Sequence, residues 1–106
     1  MLPTCGMDER LMRAVEDRRD DVAALTADLI RFPTVNPPGD GYRPCAEFVA
    51  ARLRKRGFEI EFVRAEGAPG DSERYPRINV VARFDGRSPG ATVHFNSHID
   101  VVDAGF

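Results

Sequence analysis

Residues 34–41 read Thr-Val-Asn-Pro-Pro-Gly-Asp-Gly, and no regular element can run through them. Pro37 and Pro38 lack backbone donors and have a fixed φ, while Gly39 and Gly41 suit turn geometry better than helix or strand. The chain is therefore divided into a stretch before this run and a stretch after it. Within the run, Asn36 is expected to fix its own turn by side-chain to backbone bonding.

The stretch before it is helical in pattern from about Asp8 to Arg31. Leu11, Val15, Val22, Leu25 and Leu29 recur at spacings that place them on one apolar stripe. Arg13, Asp17, Arg18 and Asp28 lie opposite, and Pro33 biases the preceding residue away from helical angles, which ends the helix. After the loop a second helix is predicted from about Pro44 to Arg56. Proline suits its first turn, Cys45, Phe48, Val49 and Leu53 form its buried stripe, and Gly57 is the C′ residue. Arg52, Arg54, Lys55 and Arg56 crowd its carboxyl end, where cations complement the helix dipole on a solvated face.

Period-two patterning follows. Phe58, Ile60 and Phe62 alternate with Glu59, Glu61 and Val63 as a half-buried strand with one wet face. A polar loop rich in Gly and Pro runs from Glu66 to Pro76, and Ile78–Phe84 is a second strand closed by Asp85-Gly86 and Ser88-Pro89-Gly90. Ala91–Asn96 is read as a third, more central strand because of its apolar content. The order helix, helix, strand, strand, strand predicts an α/β fold with two amino-terminal helices packed on the first three strands of a mixed sheet.

Composition narrows the function. The 106 residues carry a net charge of −2, which gives no long-range pull towards nucleic acid or acidic membranes. No apolar run approaches the ~18 residues that span a bilayer, and Met1–Gly6 lacks the pattern of a signal peptide. Two cysteines, Cys5 and Cys45, are too few for a disulfide scaffold and form no Cys-x-x-Cys pair, so a reducing, cytoplasmic setting is expected.

The residues suited to chemistry are His98 and Asp100, just beyond the predicted third strand. On an extended chain, positions i and i+2 share a face about 6.5–7 Å apart, and α/β proteins tend to place sites at strand carboxyl ends. A metal ligand needs a neutral imidazole held in one tautomer, and a carboxylate on its other nitrogen holds it. Taken alone, His-x-Asp is more often a hydrogen-bonded structural histidine, and a zinc site needs three or four protein ligands. Only two histidines are present. His94 is read as a sheet histidine packed under the site and Asp103 as an exposed loop acid, while Asn96 and Ser97 are candidates for hydrogen bonding around it.

The run Thr92-Val93-His94-Phe95-Asn96-Ser97-His98-Ile99-Asp100-Val101-Val102, with Gly105 soon after, resembles the first metal motif of the acetylornithine deacetylase, succinyl-diaminopimelate desuccinylase, aminoacylase and carboxypeptidase G family. Phe32-Pro33-Thr34-Val35-Asn36-Pro37-Pro38-Gly39 resembles the family's loop after its first helix, and Asn79-Val80-Val81-Ala82-Arg83 its second strand. The resemblance spans about Leu25 to Gly105. Asp103 departs from it, since many members have proline there.

The resemblance implies that His98 ligates one zinc of a two-metal site, with Co2+ or Mn2+ as alternatives, and that Asp100 is the catalytic-site carboxylate clamping its imidazole. It implies metal-dependent hydrolysis of an N-acyl amino acid or peptide bond. Residues 1–106 would then be the amino-terminal part of a zinc-peptidase-like catalytic domain, inactive alone. The other ligands, the general base and the lid domain through which family members often dimerise would lie elsewhere. The competing reading is a non-catalytic α/β module with a structural His98 and a sheet edge that binds another protein.

Overall fold

The computed structural model describes residues 6–105. The expectations for residues 1–5, a missing leader and an unpaired Cys5, lie outside that range. Within it the chain divides into two compact units, residues 6–31 and residues 32–105.

The first unit is a pair of helices, α1 (Gly6–Glu16) and α2 (Arg19–Ile30), where one helix was expected. At Arg18 the backbone N–H reaches the Val15 carbonyl at 3.1 Å, a tightened turn that interrupts the helical ladder. Residues 16–21, Glu-Asp-Arg-Arg-Asp-Asp, hold no apolar side chain that packing could use to keep the ladder straight. Exposed pairs Arg18–Asp21 at 3.0 Å and Arg19–Glu16 at 3.5 Å flank the break, and such pairs stabilise little. The apolar stripe exists but stays wet, with Leu11, Val15 and Val22 all at least 60% exposed. Pro33 lies two residues beyond the C-cap Arg31, where its stop signal was anticipated.

The second unit packs α3 (Tyr42–Lys55) on an antiparallel ribbon of β1 (Glu59–Arg64) and β2 (Ile78–Arg83). The register pairs Glu59 with Arg83 and Arg64 with Ile78. Tyr42, Cys45, Ala46 and Ala50 recur at helical spacing and form the buried hydrophobic core among the described residues. Phe48, Val49 and Leu53 are only half-buried. Cys45 of the expected stripe is buried, together with Tyr42, Ala46 and Ala50, which the stripe did not include. Burial also pushes the Cys45 thiol up, which keeps it protonated and unreactive.

The helix ends as anticipated. Gly57 lies at φ +88°, its N–H donates to the Arg54 carbonyl at 3.0 Å, and Phe58 N–H donates to Leu53 at 3.2 Å. This bonding pattern satisfies the last carbonyls through a left-handed glycine. Among the basic residues, the Arg52 guanidinium lies 5.4 Å from the Phe48 ring centre and Arg54 5.7 Å from that of Phe62. Their stems cover apolar surface, in keeping with a solvated cationic face.

The connection between β1 and β2 is organised by one carboxylate. Asp71, with its side chain 4% exposed, accepts from Arg64 Nε and Nη2, Gly67 N–H and Arg77 N–H. These bonds, first that of Arg64, hold its carboxyl down at about 2.

The sheet differs from expectation. It is antiparallel rather than mixed, it has two strands among the described residues, and α3 is the helix that covers it. Ala91–Asn96 forms no strand, and Val93 is 75% and Phe95 89% exposed. Alternating apolar residues favour a strand only where a neighbouring backbone completes the hydrogen-bond ladder. None of the described segments offers that ladder to residues 91–96. No helix among the described residues is long and apolar enough to cross a membrane.

Candidate functional site

With no strand before it, His98-Ile99-Asp100 is positioned by the Pro-Pro-Gly loop instead. Thr34 is buried at 2% exposure, and its hydroxyl donates to the Ile99 carbonyl at 2.7 Å. Val101 N–H donates to the Thr34 carbonyl and Asn36 N–H to the Val101 carbonyl, both at 2.9 Å. Together these bonds form a single parallel bridge between Val35 and Val101. The loop is held to α3 by Phe32 against Phe48, ring centres 5.2 Å apart, and is closed on itself by Gly39 N–H donating to the Val35 carbonyl at 2.8 Å. Both the Asn36–Pro37 and Pro37–Pro38 peptide bonds are cis.

The bridge brings Asn36 under Asp100. Its amide Nδ2 donates to Asp100 Oδ2 at 3.2 Å, so the Asn36 side chain serves the site and not, as expected from sequence, its own turn. Asp100 Oδ1 lies 2.9 Å from His98 Nδ1, and the Asp100 backbone carbonyl is also 2.9 Å from that nitrogen. Two acceptors at one ring nitrogen require it to carry the proton. In the neutral ring the lone pair is then on Nε2. The His98 side chain is 83% exposed.

Charge shapes the group further. The Asp100 carboxyl is held below the usual carboxylate value, first by the Asn36 hydrogen bond and then by His98, against a desolvation effect of opposite sign. Behind Asn36, Arg77 Nη2 donates to Asn36 Oδ1 at 3.3 Å, and the guanidinium carbon lies 5.2 Å from the Tyr42 ring centre. Burial first, then the nearby Asp100 charge, push the Tyr42 hydroxyl up, while Arg77 pulls it down.

The other residues expected at the site are not brought into it. His94 is exposed and not packed beneath a sheet, because the strand that would have carried it does not form. Asn96 and Ser97 are exposed and take no part in the group. Asp103 is an exposed loop acid, as anticipated, and its Oδ1 accepts from Gly105 N–H at 3.0 Å. Among the described residues no group of three or more His, Cys, Asp or Glu is disposed to hold a metal ion. The donor set fits one imidazole ligand with its orienting carboxylate. Thr34, Arg77 and Tyr42 were missed from sequence. Thr34 sits in the loop already singled out, whereas nothing in the spacing of Arg77 or Tyr42 marks them.

A succinyl-diaminopimelate desuccinylase from Cereibacter sphaeroides is 35% identical over 85 residues, 80% of this chain and 19% of that protein. The enzyme of the same name from Dinoroseobacter shibae is also 35% identical over 85 residues, with the same coverage. Over these 85 residues the chain is similar to proteins named succinyl-diaminopimelate desuccinylase. It spans about a fifth of the length of these curated relatives. No family model matches it, and no solved structure matches it with significance.

Proposed function

We propose that this chain contributes the first metal-binding segment of a hydrolase that cuts linear amide bonds of N-acyl amino acids, with a succinylated substrate as the leading candidate. His98 would ligate one zinc through Nε2, and Asp100 would hold the ring in the tautomer that ligation needs. The observation that supports this reading is the doubly accepted Nδ1, which leaves the Nε2 lone pair on an exposed ring. A bound zinc supplies Lewis acidity and a water of lowered pKa. The further ligands and the general base would come from sequence beyond these residues, as the short coverage of the relatives suggests. The 106 residues alone are therefore expected not to turn over substrate. A cytoplasmic setting and dimerisation through a separate domain belong to the same proposal, and the free, buried Cys45 thiol suits a reducing compartment.

Calorimetric titration with Zn2+ tests the ligand assignment. Weak binding that disappears in His98→Ala is expected. Binding of equal strength in the parent and in His98→Ala would remove His98 as a ligand, and no binding at all would favour the non-catalytic module. Release of succinate from N-succinyl amino acids by the purified chain would overturn the expectation that it is inactive alone.

A further inference from the structure

We propose that Arg77 and Asn36 are positioning residues that set the tautomer of His98 through Asp100. The inference rests on the reading of His98 as a ligand and extends the site from two residues to four. The order of atoms is continuous. Arg77 Nη2 donates to Asn36 Oδ1 at 3.3 Å, Asn36 Nδ2 donates to Asp100 Oδ2 at 3.2 Å, and Asp100 Oδ1 meets His98 Nδ1 at 2.9 Å.

Asparagine suits the middle position for a chemical reason. Its amide accepts at one end and donates at the other, so it can join a donor-only guanidinium to an acceptor-only carboxylate. The reversed amide would set NH2 against the guanidinium and oxygen against the carboxylate, so Arg77 fixes which way Asn36 faces. Asn36 in turn occupies the Asp100 oxygen that His98 does not use. The carboxylate is then held at both oxygens, and its free rotation about the terminal bond is lost.

Arg77 is itself built into place. Its N–H donates to Asp71 at 2.9 Å, and its guanidinium lies beside the Tyr42 ring. A Cβ at Gly39 would collide with Nη1 and one at Gly70 with Nη2, so two glycines leave the space the guanidinium fills. Yet Nη1 is buried with no hydrogen-bond partner. An unmet buried donor on a cation costs stability, and an apolar side chain of similar volume would fill the space without that cost. The Tyr42 ring gives the guanidinium one local partner, and Nη2 reaches Asn36 as its contact towards the site.

The test reads the tautomer directly. Long-range nitrogen–proton NMR of the 106-residue chain at alkaline pH separates the Nδ1–H and Nε2–H forms of each imidazole. His94, exposed and outside the group, is the internal reference. The expected result is a predominant Nδ1–H form at His98 in the parent. In Arg77→Met and Asn36→Leu the ratio of the two forms should fall by about threefold, with most of it restored in Arg77→Lys. A merely structural Arg77 would not move this ratio at all.

Unchanged His98 ratios in Arg77→Met and Asn36→Leu, with Asp100→Asn collapsing to the His94 ratio, would overturn the inference and leave the ligand reading intact. An unchanged ratio in Asp100→Asn would also overturn the inference, because the Asp100 backbone carbonyl would then hold the tautomer by itself, and the zinc titration would still decide the ligand reading. Amide spectra identify any variant that has lost the parent fold. If Asn36→Leu is such a variant, the pair Arg77→Met and Arg77→Lys decides.

Discussion

Residues 34–36 and residues 91–96 make an instructive contrast. The first lie in a run of prolines and glycines with no strand periodicity, yet they form a backbone bridge to Val101 and bury Thr34. The second alternate apolar residues as a strand should, yet they find no partner and leave Phe95 89% exposed. Intrinsic preference decides little in an extended segment, where both backbone edges must be answered by another segment. A loop whose turns direct three residues against Ile99–Val101 meets that condition, and an apolar run beside no open ladder does not.

The clamped loop should break most severely at Gly39, which lies at φ +97° with the Arg77 guanidinium against it. Gly39→Ala forces a side chain into the left-handed region and displaces Arg77, so a loss of about 2 kcal/mol or more is expected in urea unfolding. Thr34→Val keeps the shape but strips the hydroxyl from the Ile99 carbonyl, and a loss of about 1–2 kcal/mol is expected from the same measurement.

Acid should come next, acting through the β1–β2 connection. The Asp71 carboxyl titrates lower in the folded chain than in the unfolded one, so its contribution is fully present above the ordinary value. That contribution is lost as pH falls from 3.8 towards about 2. The urea midpoint should therefore drop over that window in the parent and drop less in Asp71→Asn. An equal drop in both would show that Asp71 does not carry the acid sensitivity. The smallest effect belongs to the unpartnered run, where Phe95→Ser should change stability by no more than about 0.5 kcal/mol. A loss several times larger would mean that Phe95 is packed, and the contrast between the two segments would fail.

Much of the local structure was legible in the sequence. Gly57 as the helix-ending residue, Pro33 as a stop and the polar β1–β2 connection all follow from backbone chemistry that neighbouring residues carry themselves. The break at Arg18 was hidden because periodicity continues across it on both sides. The third strand was overcalled because periodicity registers a segment's own pattern and not the presence of a ladder beside it. At the site, His98 and Asp100 could be named because a two-residue spacing is local. Thr34, Asn36 in its true role and Arg77 could not, since their partners lie 65, 64 and 41 residues away.

The sequence by itself thus determined α3, the hairpin strands, the loop that no regular element can occupy and the two-residue spacing of His98 and Asp100. These depend on contacts within a few positions, where side-chain chemistry and backbone preference act directly. Only the tertiary structure decided that Tyr42, Ala46 and Ala50 are buried on α3 while Phe48, Val49 and Leu53 stay half-exposed. It also decided that the Pro-Pro-Gly loop, not a strand end, positions His98-Ile99-Asp100, and that Asn36 and Arg77 stand behind Asp100. Those outcomes depend on which distant backbone groups meet, and hydrogen bonds between them form only after the chain has folded back on itself.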